Sequence, residues 1–213
     1  LSPNSNQWYN FFGTSVSIDY SEHNSTAWYT IAVGAYFDGN DQNSSVGGLY
    51  IFQASPSNTY PDKFYNSNSC NPCKPSDLLK GDQFGRSVDI SGKYIIAGAP
   101  ADDESGYISS GSAYIYALDN NNSWAYQAKL QPSDIFADKG FGWSVSIDGD
   151  YAIIGAMDDD IGNGWEDSGS AYVFVRDGTS WSQQAKIIDP DFKESDRFGY
   201  SVSISGNRVL VGQ

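Results

Sequence analysis

The chain has 213 residues and a formal net charge of −14, from 26 Asp and Glu against 12 Lys and Arg. That sign excludes nucleic acid as a partner, because phosphate binding needs a basic surface, and it disfavours anionic membranes equally. No run approaches the ~20 apolar residues of a spanning helix, so no membrane insertion is expected, and the length suffices to bury a sizeable core in one region, 1–213.

In chain order, LSPNSN comes first, with neither Met nor an apolar signal core, and a processed or excised chain is expected. FGTSVSID from Phe12 then begins a strand. The polar stretch DYSEHNST follows and contains the single His, His23, and the sequon Asn24. A second strand ends at Gly34-Ala35. The loop after it holds Asp38, Asp41 and a second sequon, Asn43.

Cys70 and Cys73 follow in SCNPC. A zinc site needs about four ligands, and only His23 could assist. A thioredoxin-type pair sits at a helix start, whereas Asn, Ser and Pro surround this one. A local Cys70–Cys73 disulfide stapling a loop is the preferred reading. With the sequons, which include Asn121, it favours a secreted or cell-surface protein.

From Phe84 one phrase recurs: FGRSVDISGKYIIAGA, then FGWSVSIDGDYAIIGA from Phe141 and FGYSVSISGNRVLVGQ from Phe198. Phe84, Phe141 and Phe198 are 57 residues apart, and Phe12 precedes Phe84 by 72. Units of about 12–83, 84–140, 141–197 and an incomplete 198–213 result. The surplus of the first unit falls in DYSEHNST and in the segment holding the cysteines.

Each unit reads as four short strands. In the third these are FGWSVSI (141–147), YAIIGA (151–156), GSAYVFV (169–175) and WSQQAKI (181–187). Asp148-Gly149 is a two-residue hairpin signal, as are Ser91-Gly92 and Ser205-Gly206. YAIIGA is apolar on both faces, which stacked sheets explain. The fold class is all-β, a propeller of four-stranded blades, about three and a half present. A β-solenoid is the runner-up. The last unit stops after its second strand, so further blades of a longer chain, or a second chain, are expected to complete the ring.

FG-x-S-V, a turn, apolar residues ending in GA or GAP (Ala99-Pro100), and G-S-A-Y together resemble the FG-GAP repeat. WAYQAKL (124–130) and WSQQAKI (181–187) resemble its subgroup with W-x-x-Q-A-K-L in the last strand. The resemblance implies a propeller, usually seven-bladed, and an extracellular binding or adhesion role without catalysis. Many such repeats bind calcium in the first hairpin through an Asp-rich loop. Here those hairpins are too short to wrap the ion, and DYSEHNST lacks the spacing.

The resemblance also implies that the loops after strands two and four share one rim, and these loops hold the acid. Candidate ligand or metal residues are Asp102, Asp103 and Glu104, and Asp158, Asp159 and Asp160 with Trp165 beside them. Calcium is the ion such loops would take. A sugar could stack on an aromatic ring there, and solvated Asp residues that cap turns are the plainer alternative. Trp124 and Trp181, at equivalent positions, read as structural. The residue after FG varies (Thr14, Arg86, Trp143, Tyr200) inside a fixed frame, a place where specificity could sit. A protein or glycan ligand, a structural subunit of an extracellular assembly, and a glycan-active enzyme are the functions considered, in that order. No catalytic residue is singled out.

Overall fold

The computed structural model describes residues 11–23, 26–39, 46–54, 65–66, 73–161 and 166–213. Cys70, Asn24, Asn43, Asp41 and Trp165 lie outside them.

The described residues form antiparallel strands in four sheets. The first blade holds β1 (Ser15–His23), β2 (Thr26–Gly34), β3 (Leu49–Ala54) and β4 (Tyr65–Asn66). The second holds β5 (Val88–Ser91), β6 (Tyr94–Ala99), β7 (Ser112–Leu118) and β8 (Trp124–Leu130). The third holds β9 (Phe141–Asp148), β10 (Tyr151–Ala156), β11 (Ser170–Asp177) and β12 (Ser180–Ile187). β13 (Ser201–Ser205) and β14 (Arg208–Gly212) pair as a two-stranded sheet. Each four-stranded sheet keeps sequence order, the meander of a β-propeller blade.

The core lies between the blades. In β6 the adjacent Ile95 and Ile96 point opposite ways: Ile95 joins a cluster with Leu49 and Ile51 of the first blade, and Ile96 one with Val145 and Ile147 of the third. In β10, Ile154 faces back and Ile153 forward, towards Ile204. A strand covered on both sides has no polar face, so its sequence does not alternate.

The FG phrase is a joint in this packing. The backbone of Phe84, Phe141 and Phe198 bridges to Gly47, Gly111 and Gly169, each just before the third strand of the preceding blade. The rings of Phe84 and Phe141 then stand edge-on to Tyr114 and Tyr172 of their own blades, both at 5.4 Å. Gly98 and Gly155 meet the carbonyls of Gly142 and Gly199 in the next blade so closely that a Cβ would overlap them. The motif thus writes its phenylalanine and glycines for blade contact.

Two expectations are corrected. The hairpin turns lie one residue later: Ser91 pairs with Tyr94, Asp148 with Tyr151 and Ser205 with Arg208. The central residues are therefore Gly92-Lys93, Gly149-Asp150 and Gly206-Asn207, with glycine first and at positive φ, as a type II′ turn requires. DYSEHNST is largely strand, because the β1–β2 ladder continues from Asp19↔Thr30 to His23↔Thr26. The tilted pair of Tyr20 and Tyr29 rings, 5.1 Å apart, supports that extension.

Candidate functional site

The rim facing away from the first hairpins gathers the loops after β2, β6 and β10 with the segments leading into each FG. Its acids fall into two groups.

The first group is internal. In the second blade, Asp102 is buried, and its carboxylate accepts the Tyr114 hydroxyl at 2.8 Å. Lys129, the lysine of WAYQAKL, reaches Asp102 and Asp77 at 2.9 Å each and also pairs with Glu104. The third blade repeats this. Buried Asp159 accepts Tyr172 at 3.0 Å and Ser170 at 2.6 Å. Lys186 reaches Asp159 and Asp134, each at 2.7 Å, and Lys139 pairs with the same two acids at 3.0 and 3.1 Å. In the first blade, Asp38 takes Tyr50 at 2.8 Å and Lys74 at 3.1 Å. Burial pushes the Asp134 carboxyl up, but hydrogen bonds and charge from Lys186 and Lys139 win and hold it at about 2. Burial likewise opposes the charge of Asp159, and Lys186, Ser170 and Lys139 hold it below the usual carboxylate range. Burial also pushes the Tyr114 and Tyr172 phenols far up, so both stay protonated donors.

The second group faces a cleft of about 360 Å³ at the junction of the second and third blades. Trp143, Gln83, Ser109, Asp138, Asp158 and Asp167 line it. Arg197, half exposed, pairs with two of these acids, 3.9 Å from Asp158 and 4.0 Å from Asp167. Burial first, then the charges of Asp167, Asp138 and Asp160, raise the Asp158 carboxyl to about 6 against the pull of Arg197.

Trp143 also belongs to a row crossing the rim. The Arg86 guanidinium lies 5.1 Å from the Tyr36 ring and 4.1 Å from that of Trp143, whose ring is 5.9 Å from Tyr200. Phe11 packs on Tyr36 and Phe37 at 5.1 and 5.3 Å. The variable residues after FG in three successive units are thus neighbours in space.

The candidates from sequence are divided by this geometry. Asp102, Asp159 and Glu104 are held by lysines. Asp103 and Asp160 accept backbone amides, from Ser109 at 2.8 Å and Asp167 at 2.9 Å, and serve as turn caps. Asp158 alone opens on the cleft. An ion at Asp102 or Asp159 would have to displace an ammonium group, and among the described residues no three His, Cys, Asp or Glu are grouped to hold a metal. Trp124 is buried, and Trp181 donates to Gln127 of the neighbouring blade at 3.1 Å, so both are structural. Asn121 is exposed in the β7–β8 turn.

Sequence reasoning passed over Lys129, Lys186 and Arg197, and counted Asp138 and Asp167 only among the acids of the rim loops. The signal for the lysines was present: Asp102 and Lys129 are separated by 27 residues, as are Asp159 and Lys186. The residue before FG shares a conformation that its identity does not announce: Phe11, Gln83, Gly140 and Arg197 all have positive φ.

Among known families, the model described as FG-GAP repeat matches residues 74–116, 124–174 and 181–213. No curated protein matches the chain.

Proposed function

Because the chain belongs to the FG-GAP repeat family, we propose that it is an extracellular, non-catalytic binding module whose ligand face is the rim bearing Trp143. Repeats of this family generally serve in binding and adhesion, and their propellers are generally non-enzymatic. The observation that carries the reading is the row Tyr36–Arg86–Trp143–Tyr200, because three of its members, Arg86, Trp143 and Tyr200, are residues that vary inside an otherwise repeated frame. Aromatic and arginine side chains are the usual anchors of recognition surfaces. The ligand is a glycan or a protein.

The test is a screen of immobilised glycans and extracellular proteins with wild type, Trp143→Ala and Tyr151→Ala. Tyr151 is exposed on the opposite rim. Ligands lost with Trp143→Ala and kept with Tyr151→Ala support the reading. Ligands that survive Trp143→Ala and are lost with Tyr151→Ala overturn it.

A second reading, an assembly subunit, is favoured by the outer faces. Val16 and Ile18 are 64% and 61% exposed, whereas their equivalents Val88 and Ile90 are each 6% exposed against the preceding blade. Leu210 is 76% exposed where Ile153 is fully buried. Such faces fit a further blade of the same kind, from this chain or another. Self-association in light scattering that Val16→Ser/Ile18→Ser reduces would support it; a monodisperse monomer would count against it.

A further inference from the structure

We propose that Arg86, at the middle of the rim row, receives the carboxylate of an acidic sugar. The inference rests on the reading of that rim as the ligand face and names the chemical class of the ligand.

Arg86 differs from the cations around it. Lys74, Lys129, Lys139, Lys186 and Arg197 each pair with a carboxylate. Arg86 is half-buried between two rings instead, its guanidinium carbon 5.1 Å from the centre of Tyr36 and 4.1 Å from that of Trp143. Among the described residues no Asp or Glu forms an ion pair with it, and its guanidinium donates no hydrogen bond. In a chain with 26 acids against 12 bases, an arginine held by rings alone keeps its N–H groups for something else.

The surroundings prepare that group. A guanidinium is planar, stacks on aromatic faces and is weakly hydrated, and two of its N–H groups match the two oxygens of a carboxylate. Rings on both sides limit its rotation, so less freedom is lost when the anion arrives. One kind of turn fixes the row: the amides of Arg86, Trp143 and Tyr200 each donate to the carbonyl three residues earlier at 3.0 Å. Of the four residues that follow FG, Arg86 is the only charged one. The row therefore offers one anion site in an aromatic setting.

Charge and flanks select the anion. The chain carries a net charge of −14, and like charges brought against such a surface are repelled. A phosphate group or a polyanion brings more charge than one arginine offsets, whereas a carboxylate brings a single charge. At the two ends of the row the rings of Phe11 and Tyr200 are 49% and 51% exposed. Their faces are electron-rich and take the C–H side of a sugar ring. Gln83 and Ser109, beside Trp143, supply partners for sugar hydroxyls. An aspartate or glutamate side chain brings a carboxylate but neither hydroxyls nor a ring, and would leave those groups unused.

The experiment titrates two acidic methyl glycosides, a glucuronide and an N-acetylneuraminide, and the neutral methyl ester of each into the chain. Binding is followed at the Trp143 indole N–H by nuclear magnetic resonance. At least one acid should bind about tenfold more tightly than its own ester. Arg86→Gln should abolish that tenfold difference and leave the ester within about twofold of its affinity for the unaltered chain. No binding of either acid, equal affinity of acid and ester in both pairs, or equal losses of acid and ester with Arg86→Gln overturns the inference. N-acetylglutamate amide that binds as tightly as the better glycoside moves the carboxylate from a sugar to a protein and overturns it too. Rim ligands lost with Trp143→Ala and unaffected by Arg86→Gln overturn the role of Arg86 and leave the rim reading standing.

Discussion

The carboxylate of Asp89, in the second blade, accepts the hydroxyl of Ser146, in the third, at 2.9 Å. The same side chain takes the Ile147 amide at 2.9 Å and the Ser17 hydroxyl of the first blade at 2.8 Å. One acid therefore joins three blades at a position where the other units have Ser17, Ser146 and Ser203. Asp89→Ser should cost about 1–3 kcal/mol, the range for charged hydrogen bonds lost from a partly buried site. Urea denaturation reads it, and a loss under about 0.5 kcal/mol would contradict the three-blade role.

Glycine should be irreplaceable where blades meet and tolerated at the turns. Gly98→Ala pushes a methyl group into the Gly142 carbonyl and forces the second and third blades apart. A loss above about 3 kcal/mol is expected, as for overpacking at its most severe. Gly149 has open space around it and a φ of +57°, so Gly149→Ala should cost only about 1 kcal/mol of backbone strain. Thermal melts of the two variants compare the sites, and similar losses would refute the close-approach account.

Lys129→Met should destabilise more than any substitution of an exposed lysine. It leaves Asp102 buried with only Tyr114 as a side-chain partner and releases Asp77 and Glu104. Breaking a buried pair from one side costs about 3–5 kcal/mol. Adding Asp102→Asn should recover part of that, because the stranded charge is then gone. Failure of the double variant to recover stability would argue against an ionic role.

Stability should depend on pH through Asp158 and Asp134 with opposite signs. The folded pKa of Asp158, about 6, lies above its ordinary 3.8, so the folded chain binds that proton more tightly. Stability from this group rises as pH falls through 6 towards 4. For Asp134, at about 2, the contribution is complete above pH ~4 and is lost as pH falls towards 2. Asp158→Asn should therefore stabilise by about 1–2 kcal/mol at pH 7.5 and change little at pH 4. Denaturation midpoints across pH 4–8 test this, and a pH-independent effect would contradict it.

Secretion from a eukaryotic cell should leave a glycan on Asn121, and intact mass without reductant should be that of a Cys70–Cys73 disulfide. Glycopeptide mapping and alkylation measure the two. A bare Asn121 with two alkylated thiols would remove the support for an extracellular setting.

The frame was legible because the blades repeat their constraints: an FG phenylalanine for the tyrosine of the third strand, glycines where backbones meet, and apolar second strands covered on both sides. The chemistry of the rim was less so. Asp102 and Asp158 look alike in a loop of acids, and only a lysine 27 residues further on neutralises the first. No local pattern says that Asp158 and Asp138 share a wall with Trp143. The hairpin extension was misread because Ser, Glu and His are weak strand formers, and cross-strand bonding overrode that preference.

The turn amides carry one more consequence. Gly92 donates to Asp19 at 2.7 Å, Gly149 to Ser91 at 3.2 Å and Gly206 to Asp148 at 2.7 Å. In every case the donor belongs to the later blade and the acceptor to the earlier one. A blade emerging from the ribosome thus finds the acceptor for its turn amide already in place. At these turns the pairing runs from the amino end towards the carboxyl end, and losing a blade at the front leaves the next turn amide to solvent, which losing one at the back would not.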